Sequence, residues 1–449
     1  MKSITKSIYK HLFVLYNILT EGGENMKLTL RYNITKIDKK QKEIIEEIMW
    51  HATKVYNMVL YELREEKRKI DVNKSINIIQ TEIYKEERKN NWHSKYMHSH
   101  TLQQVIINVI QNYKSYIKAK EDYEKRKNKY RGKPKELRYK QGRKQEIVFT
   151  KYAIRKEKNR IKLSISKEIQ EKFKSRSINF LIPRRLKKLI NFESIKMIKI
   201  VKKEEELEME IIYERKEKEE RKGTNIMSID IGINNIVACT NKENSKSMLV
   251  SGREAKSKNK YIQEKIRKLQ QINKKAKENR EKEKVKNTKR IEKMWKYRKN
   301  YMNTYMHKVS KMVIEYAKEN KCVEIVIGDL KRIKEGMKGN KSFVQMPLKE
   351  LVRKIEYKAK LEGIKVNKVG EEYTSGVSAI DKEEIKKENY NKKRRISRGI
   401  YISKEGKKIN ADINGSLNIL RKYIKKSSPN QEIAMDNGRE QRPLKKRVA

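Results

Sequence analysis

The sequence predicts an α+β protein in which an N-terminal β-barrel-like domain with a helical insertion, 26–222, precedes an α/β domain, 223–425. In the N-terminal half, short strand-like segments are interrupted by two long helical repeats. After Gly223, buried strands alternate with helices, which is typical of α/β domains. A charge run from Glu214 to Lys222 separates the two halves. The last segment, 426–449, is rich in Ser, Pro, Asn and Gln and predicts a flexible tail.

In the N-terminal half, the two helical repeats are the clearest elements. Apolar residues recur every three or four positions over 38–66 and again over 101–127, which predicts two amphipathic helices. Strand-like segments lie at 28–34, 146–150, 160–165 and 195–213. These strands are expected to form a small barrel or a sheet.

Carboxylates accompany the buried elements of the C-terminal half. Asp230 lies at the end of an apolar strand that is followed by a tight turn and a second strand. Further strands are predicted at 323–330 and 364–369, with a helix at 347–362 between them. Asp412 lies in the first turn of a helix that begins near Asn410.

The charge balance indicates a nucleic-acid partner. The chain carries 114 Lys and Arg against 58 Asp and Glu, a net charge of +56. Self-repulsion of this size destabilises a compact state unless a polyanion neutralises it. A membrane is disfavoured, because no run of about 18 apolar residues is present. The basic residues fill several long segments, which favours a phosphate backbone. A Lys-rich, AT-biased genome explains some of the Lys but not the shortage of acidic residues.

Two further features bear on the cellular context. The chain has two cysteines, Cys239 and Cys322, both in apolar runs, so buried small side chains and a reducing cytoplasm are expected. The segment Glu21 to Asn25 before Met26 can be encoded by a purine-rich ribosome-binding stretch. We therefore expect translation to begin at Met26 and residues 1–25 to be absent from the native protein, which N-terminal sequencing would test.

Carboxylates on separate elements of a basic domain permit metal-dependent phosphodiester cleavage. That chemistry needs a cluster of hard oxygen ligands for two Mg²⁺ (or Mn²⁺) ions about 4 Å apart. A single Asp at a strand end is more often a cap or turn residue, so the spacing alone permits this chemistry without establishing it.

Three segments carry a resemblance to a known family. Ser228 to Asn235 (SIDIGINN) resembles the first RuvC motif of TnpB, the OrfB-type protein of bacterial insertion sequences. Asn410 to Lys422 (NADINGSLNILRK) resembles the third motif, and Tyr373 to Ser375 (YTS) resembles the segment before the zinc ribbon. The resemblance implies an RNase H-like (RuvC) nuclease domain, a guide RNA and cleavage of a double-stranded DNA target. It also implies that mobility belongs to a separate transposase partner.

The first departure from the family pattern is a missing glutamate. Relatives place it where this chain has Gly328, and Asp329 cannot replace it because adjacent strand residues point to opposite faces. In an RNase H-like sheet the strand at 364–369 should lie beside the one ending at Gly328. Glu371 and Glu372 follow that strand, as in a family subgroup with a relocated glutamate. We select Glu371 over Glu372; the alternative is that both face solvent.

The second departure is the zinc ribbon. Between Tyr373 and Asn410 there is no cysteine, so the four-thiolate zinc site of relatives is absent and no zinc is expected. A metal-free hairpin could take its place, held on nucleic acid by Arg394, Arg395 and Arg398, since guanidinium groups suit phosphates. The alternative is a solvated basic loop.

The leading hypothesis is therefore an RNA-guided DNA endonuclease in which Asp230, Glu371 and Asp412 hold Mg²⁺ or Mn²⁺. The alternative is a nuclease-dead, RNA-guided DNA-binding repressor, for which Gly328 is the support. A third hypothesis, a structural RNA-binding protein, predicts that neither aspartate is needed.

Overall fold

The protein divides into two compact units, Met1–Arg215 and Lys216–Ala449. The predicted domain boundary at 222/223 lies a few residues after this division. The structure, a computed structural model, describes residues 13–14, 25–34, 37–65, 71, 73–142, 145–182, 191–203, 206–243, 247–278, 287–329, 346–397, 399–427 and 443–448.

The strands of the first unit form two separate sheets. They are β1 Phe13–Val14, β2 Asn25–Asn33, β3 Ile147–Thr150, β4 Ile154–Glu157, β5 Arg160–Ser164, β6 Ser177–Leu181, β7 Ile195–Lys203 and β8 Glu206–Lys216. One sheet has the order β1-β2-β8-β7-β3 and the other the order β4-β5-β6. The single strand predicted at 195–213 is the antiparallel pair β7 and β8. The predicted barrel is not confirmed, because the described ladders do not join the two sheets into one closed barrel.

The helices of the first unit follow the apolar repeats. They are α1 Lys39–Arg64, α2 Ile76–Asn90, α3 Ser99–Lys125 and α4 Lys167–Phe173. The apolar stripe of α1 is buried, as its period requires, with Ile44, Val55 and Val59 fully enclosed. The helices predicted at 38–66 and 101–127 are thus confirmed as α1 and α3, whereas α2 was not predicted.

The second unit is built on a mixed six-stranded sheet. The described strands of this unit are β9 Ile226–Asp230, β10 Asn235–Asn241, β11 Met248–Ser251, β12 Glu324–Gly328, β13 Lys365–Val369, β14 Ile400–Ile402, β15 Lys408–Asn410 and β16 Leu444–Lys446, of which β14 and β15 pair separately. The order of the main sheet is β13-β12-β9-β10-β11-β16, with β12 parallel to both β9 and β13. Strand β16 lies in the segment predicted as a flexible tail, and it pairs with β11 in parallel.

Helices cover both faces of this sheet. They are α5 Arg253–Glu278, α6 Lys289–Glu319, α7 Leu348–Leu361 and α8 Ala411–Ser427. Met227 and Ile229 of β9 pack in one apolar core with α6 and α7. Ser228, between them, turns to the opposite face and contacts α8. Because strand side chains alternate between faces, Asp230 also lies on the α8 face.

Both cysteines are buried and reduced, in the core shared by the sheet, α6 and α7. Burial raises the pKa of each thiol, so both behave as small apolar side chains. Among the helices that the structure describes, none is long and apolar enough to span a membrane.

Candidate active site

Helix α8 approaches the end of β9 closely at Asp230. Beneath the carboxylate, Ser228, Thr240 and Ser416 form a buried hydroxyl cluster with oxygen–oxygen distances of 2.8–3.0 Å. This cluster ties the sheet to the helix. A Cβ atom at Gly415 would lie 2.7 Å from Oδ2 of Asp230, so only glycine permits this approach without displacing the carboxylate.

A second carboxylate reaches the same edge of the sheet from the neighbouring strand. The predicted neighbourhood is confirmed, because β13 pairs in parallel with β12 and Val369 is opposite Gly328. Glu371 follows β13 and folds back over β12. Its carboxylate occupies the space that a side chain at position 328 would fill: a Cβ there would lie 2.7 Å from Cδ of Glu371 and would collide with Oε1.

The turn that carries Glu371 is held by the Tyr-Thr-Ser segment. The Thr374 hydroxyl donates to the backbone carbonyl of Glu371 at 2.9 Å, and Tyr373 adopts a positive φ of 64°. Glu372 points elsewhere, since its Oε2 accepts from Nζ of Lys422 at 2.9 Å. The geometry therefore distinguishes the two glutamates and brings Glu371 to the Gly328 position.

Asp230 and Glu371 are desolvated, and each lies near other negative charges. Burial and, next, the charge of Asp412 raise the pKa of Asp230 to about 7, against the opposing effects of Arg395 and the Ile231 N–H. Burial and then the charges of Asp230, Asp329 and Glu372 raise the pKa of Glu371 to about 8. Oε1 of Glu371 is buried without a hydrogen-bond partner within the part of the chain that the structure describes. Such carboxylates stay partly protonated unless a cation joins them.

Asp412 lies in the first turn of α8, where it is held from two sides. Nδ2 of Asn235 donates to its Oδ2 at 2.7 Å, and Nη2 of Arg395 lies 3.6 Å from its Oδ1. The Asn410 side chain caps the helix by accepting the Asp412 N–H at 3.0 Å. The role of Asn235 was not predicted, although the residue lies within the first motif and is only five positions from Asp230.

Carboxylate oxygens are the ligands that Mg²⁺ and Mn²⁺ prefer, and the orphaned Oε1 of Glu371 fits such a cation. Among the described residues, however, no three His, Cys, Asp or Glu side chains are grouped closely enough to hold one ion. Asp230 and Glu371 therefore form the core of the site, and Asp412 is joined to it through its charge.

The three predicted nucleic-acid-binding arginines have different environments. Nη1 of Arg394 donates to Oε1 of Glu383 at 2.8 Å, and its side chain is 20% exposed, so it has a partner within the protein. Arg395 lies against Asp412, at the candidate site. Arg398 lies outside the described residues.

Parts of the chain match known protein families. A family model described as "Probable transposase" (OrfB_IS605) matches residues 206–334, and one described as "Cas12f1-like, TNB domain" matches residues 349–419. "TnpB-like protein ORF457" of Acidianus two-tailed virus is 27% identical over 205 residues. That alignment covers 45% of this chain and only 43% of the relative's length.

A solved structure shares the fold. The Cas12f1 chain, from a cryo-EM structure of its complex with single guide RNA and target DNA, is 16% identical with a TM-score of 0.57. The match covers 86% of this chain and 83% of that chain. The likeness shows a shared α+β fold. The two family models and the viral relative support a TnpB-type protein.

Proposed function

We propose that the protein is an RNA-guided DNA endonuclease with its cleavage site at Asp230, Glu371 and Asp412. The observation that carries the proposal is the position of Glu371, whose carboxylate fills the space over Gly328 on the Asp230 face of the sheet. A carboxylate with one buried oxygen that has no hydrogen-bond partner among the described residues, next to a second carboxylate of raised pKa, destabilises the fold. Such an arrangement is typical of a site that performs chemistry.

The residues fit a divalent metal site. Asp230 and Glu371, with Asp412, would hold Mg²⁺ or Mn²⁺, which supplies positive charge to the scissile phosphate and activates the attacking water. Asn235 orients the Asp412 carboxylate through its hydrogen bond. We assign Arg395, which lies beside Asp412, and Arg398 to contact with a phosphate.

The partners follow from the charge and from the relatives. The surplus of +56 charges requires a polyanion, and the Cas12f1 relative is a complex with guide RNA and target DNA. We propose that guide RNA neutralises much of the surplus and that base pairing selects a double-stranded DNA target. A separate transposase would move the element, and the protein would act in the cytoplasm.

The alternative is a nuclease-dead, RNA-guided repressor. Gly328 favours it, as does the lack of a preformed three-ligand group among the described residues. The position of Glu371 argues against it, because a chain released from catalysis has no reason to bury that carboxylate beside Asp230.

The decisive test is guided cleavage. Purified protein with the RNA encoded by its element should cut matched DNA only when Mg²⁺ or Mn²⁺ is present, and Asp230→Ala should abolish cutting. Glu362→Gln is a matched control: it removes a carboxylate that contacts Lys218, Lys318 and Arg221, away from the site. Tight guided binding without cutting under any divalent metal would reject the endonuclease and support the repressor.

A further inference from the structure

We infer that Glu383 is a positioning residue: its ion pair with Arg394 holds the segment Tyr373 to Asn410 so that Arg395 reaches Asp412. The inference rests on the proposed function, since Arg395 and Asp412 belong to the proposed cleavage site. It gives Arg394 a role within the protein in place of contact with nucleic acid.

Glu383 is the centre of a buried ion-pair cluster. Its side chain is 6% exposed, yet its oxygens accept from Arg394 Nη1 at 2.8 Å, from the Ser378 N–H at 3.0 Å and from Lys404 Nζ at 3.1 Å. These contacts join three parts of the segment that are distant in sequence. Because a buried charge is tolerated only when it is well paired, removing Glu383 leaves Arg394 with the more distant carboxylate of Asp381, at 3.9 Å, and so weakens its anchoring.

The same segment is docked on α8 through one face of the helix. Asn414, Asn418 and Arg421 are spaced by four and three residues, so their side chains project from one side. The hydrogen bonds run from Asn414 Nδ2 to Val377 O, from Ala379 N to Asn414 Oδ1, from Asn418 Nδ2 to Thr374 O and Val377 O, and from Arg421 Nη2 to Glu383 O, at 2.7–2.9 Å. Helix α8 thus contains Asp412 and also holds the segment whose Arg395 contacts Asp412.

The two adjacent arginines contact different carboxylates. Arg394 is directed to Glu383, and Arg395, the next residue, lies 3.6 Å from Asp412. If Arg394 lost its short contact with Glu383, the backbone at 394–395 would keep only the longer contact with Asp381, and the Arg395 guanidinium would be held less firmly against the site. A displacement of about 1 Å at a reacting centre can lower a rate about 100-fold.

We call the ion-pair cluster of Glu383, Arg394 and Lys404 the clip. Its contacts do not require a metal ion. Cys239 and Cys322, the two cysteines of the chain, lie outside this segment, in the core under the sheet. The side chains that cross-link residues 378, 383, 394 and 404 are the carboxylates of Glu383 and Asp381 and the cations of Arg394 and Lys404. The segment should therefore keep its structure when zinc is removed.

The main test is a double-mutant cycle on the guided complex under single-turnover conditions. Glu383→Gln should lower the cleavage rate about 10- to 100-fold while target-DNA affinity stays within about twofold. Arg395→Gln should lower the rate by a similar factor, and the double variant should be little worse than either, since both remove the same contact. Full additivity of the two effects, or a Glu383→Gln rate within twofold of wild type, overturns the inference.

Hydrogen exchange separates a displaced segment from a misfolded unit. In Glu383→Gln, exchange should increase at 376–404 while β9 and β12 stay protected; Glu362→Gln should leave both unchanged. If the wild-type complex cuts no guided target, the proposed function fails by itself. In that case unchanged exchange at 376–404 in Glu383→Gln overturns the positioning role, and increased exchange there supports the clip.

A second measurement addresses zinc. The purified protein should contain less than about 0.1 zinc per chain, and exchange at 376–404 should not change after treatment with a zinc-selective chelator. A stoichiometric zinc ion whose removal loosens this segment would overturn the metal-free clip.

Discussion

Two carboxylate sites touch helix α8, and their electrostatics are opposite. At one, Asp230 and Glu371 repel each other, and burial with neighbouring negative charge raises both pKa values. At the other, burial alone would raise the pKa of Glu383, but hydrogen bonds from Ser378, Arg394 and Lys404 outweigh burial and lower it.

This difference indicates that Glu383 stabilises the fold, whereas Asp230 and Glu371 are suited to catalysis. A paired carboxylate such as Glu383 stabilises the folded state in its ionised form. A carboxylate such as that of Glu371, whose Oε1 has no hydrogen-bond partner among the described residues, destabilises the folded state locally. Substitutions at the two sites should therefore change stability in opposite directions, and both should reduce cleavage.

The largest effect is expected at Asp230. Asp230→Asn should lower guided cleavage about 1,000-fold or more, because a charged oxygen ligand is lost. In metal-free buffer it should raise the free energy of unfolding by about 1–3 kcal/mol, since a desolvated charge and its repulsion with Asp412 and Glu371 disappear. Glu362→Gln, which removes a carboxylate paired with Lys218 away from the site, is the control. Loss of stability in Asp230→Asn would contradict the contrast between the two sites.

The next effect concerns the position of the glutamate. Glu371→Gly should lower the cleavage rate about 100-fold or more, and adding Gly328→Glu should recover at least about tenfold by returning a carboxylate to the same space. Gly328→Ala alone should also impair cleavage, because its Cβ collides with Glu371. Rates are measured on matched guided DNA. Failure of the double variant to exceed Glu371→Gly would show that the two positions are not equivalent.

The third effect is a pH dependence of stability in chelator. The folded-state pKa values of Asp230 and Glu371 are raised, so their contribution is fully present below about pH 4 and is lost as pH rises through about 7–8. Wild type should lose about 1–4 kcal/mol relative to Asp230→Asn between pH 4 and pH 8. Denaturant unfolding of both proteins across this range measures the difference. Equal slopes for the two proteins would contradict the raised pKa values.

The smallest effect is expected at Gly415. Gly415→Ala places a Cβ 2.7 Å from Oδ2 of Asp230 and should lower cleavage about tenfold by displacing the carboxylate. Stability should change by less than about 1 kcal/mol, because alanine favours the helix and offsets the crowding. Cleavage rates and thermal unfolding of the same preparation measure both quantities. An unchanged rate would show that α8 can yield at this point.

Much of the secondary structure of this protein follows from local sequence patterns. The helical period of α1 and α3, the apolar strand ending at Asp230 and the helix with Asp412 in its first turn depend on neighbours along the chain. Face and periodicity follow from such neighbours, because side chains alternate in strands and recur every 3.6 residues in helices. The net charge of +56 likewise follows from the sequence and indicates the class of partner.

Only the tertiary structure decided which carboxylate replaces the one missing at Gly328 and which arginine reaches the site. Glu371 and Glu372 are adjacent and chemically equivalent in sequence; the parallel pairing of β12 and β13 and the Lys422 contact separate them. The sequence likewise does not distinguish Arg394 from Arg395; in the structure, Arg394 donates to Glu383. Charged side chains pair with the groups that the folded chain brings near them. Their partners therefore depend on how segments distant in sequence pack together.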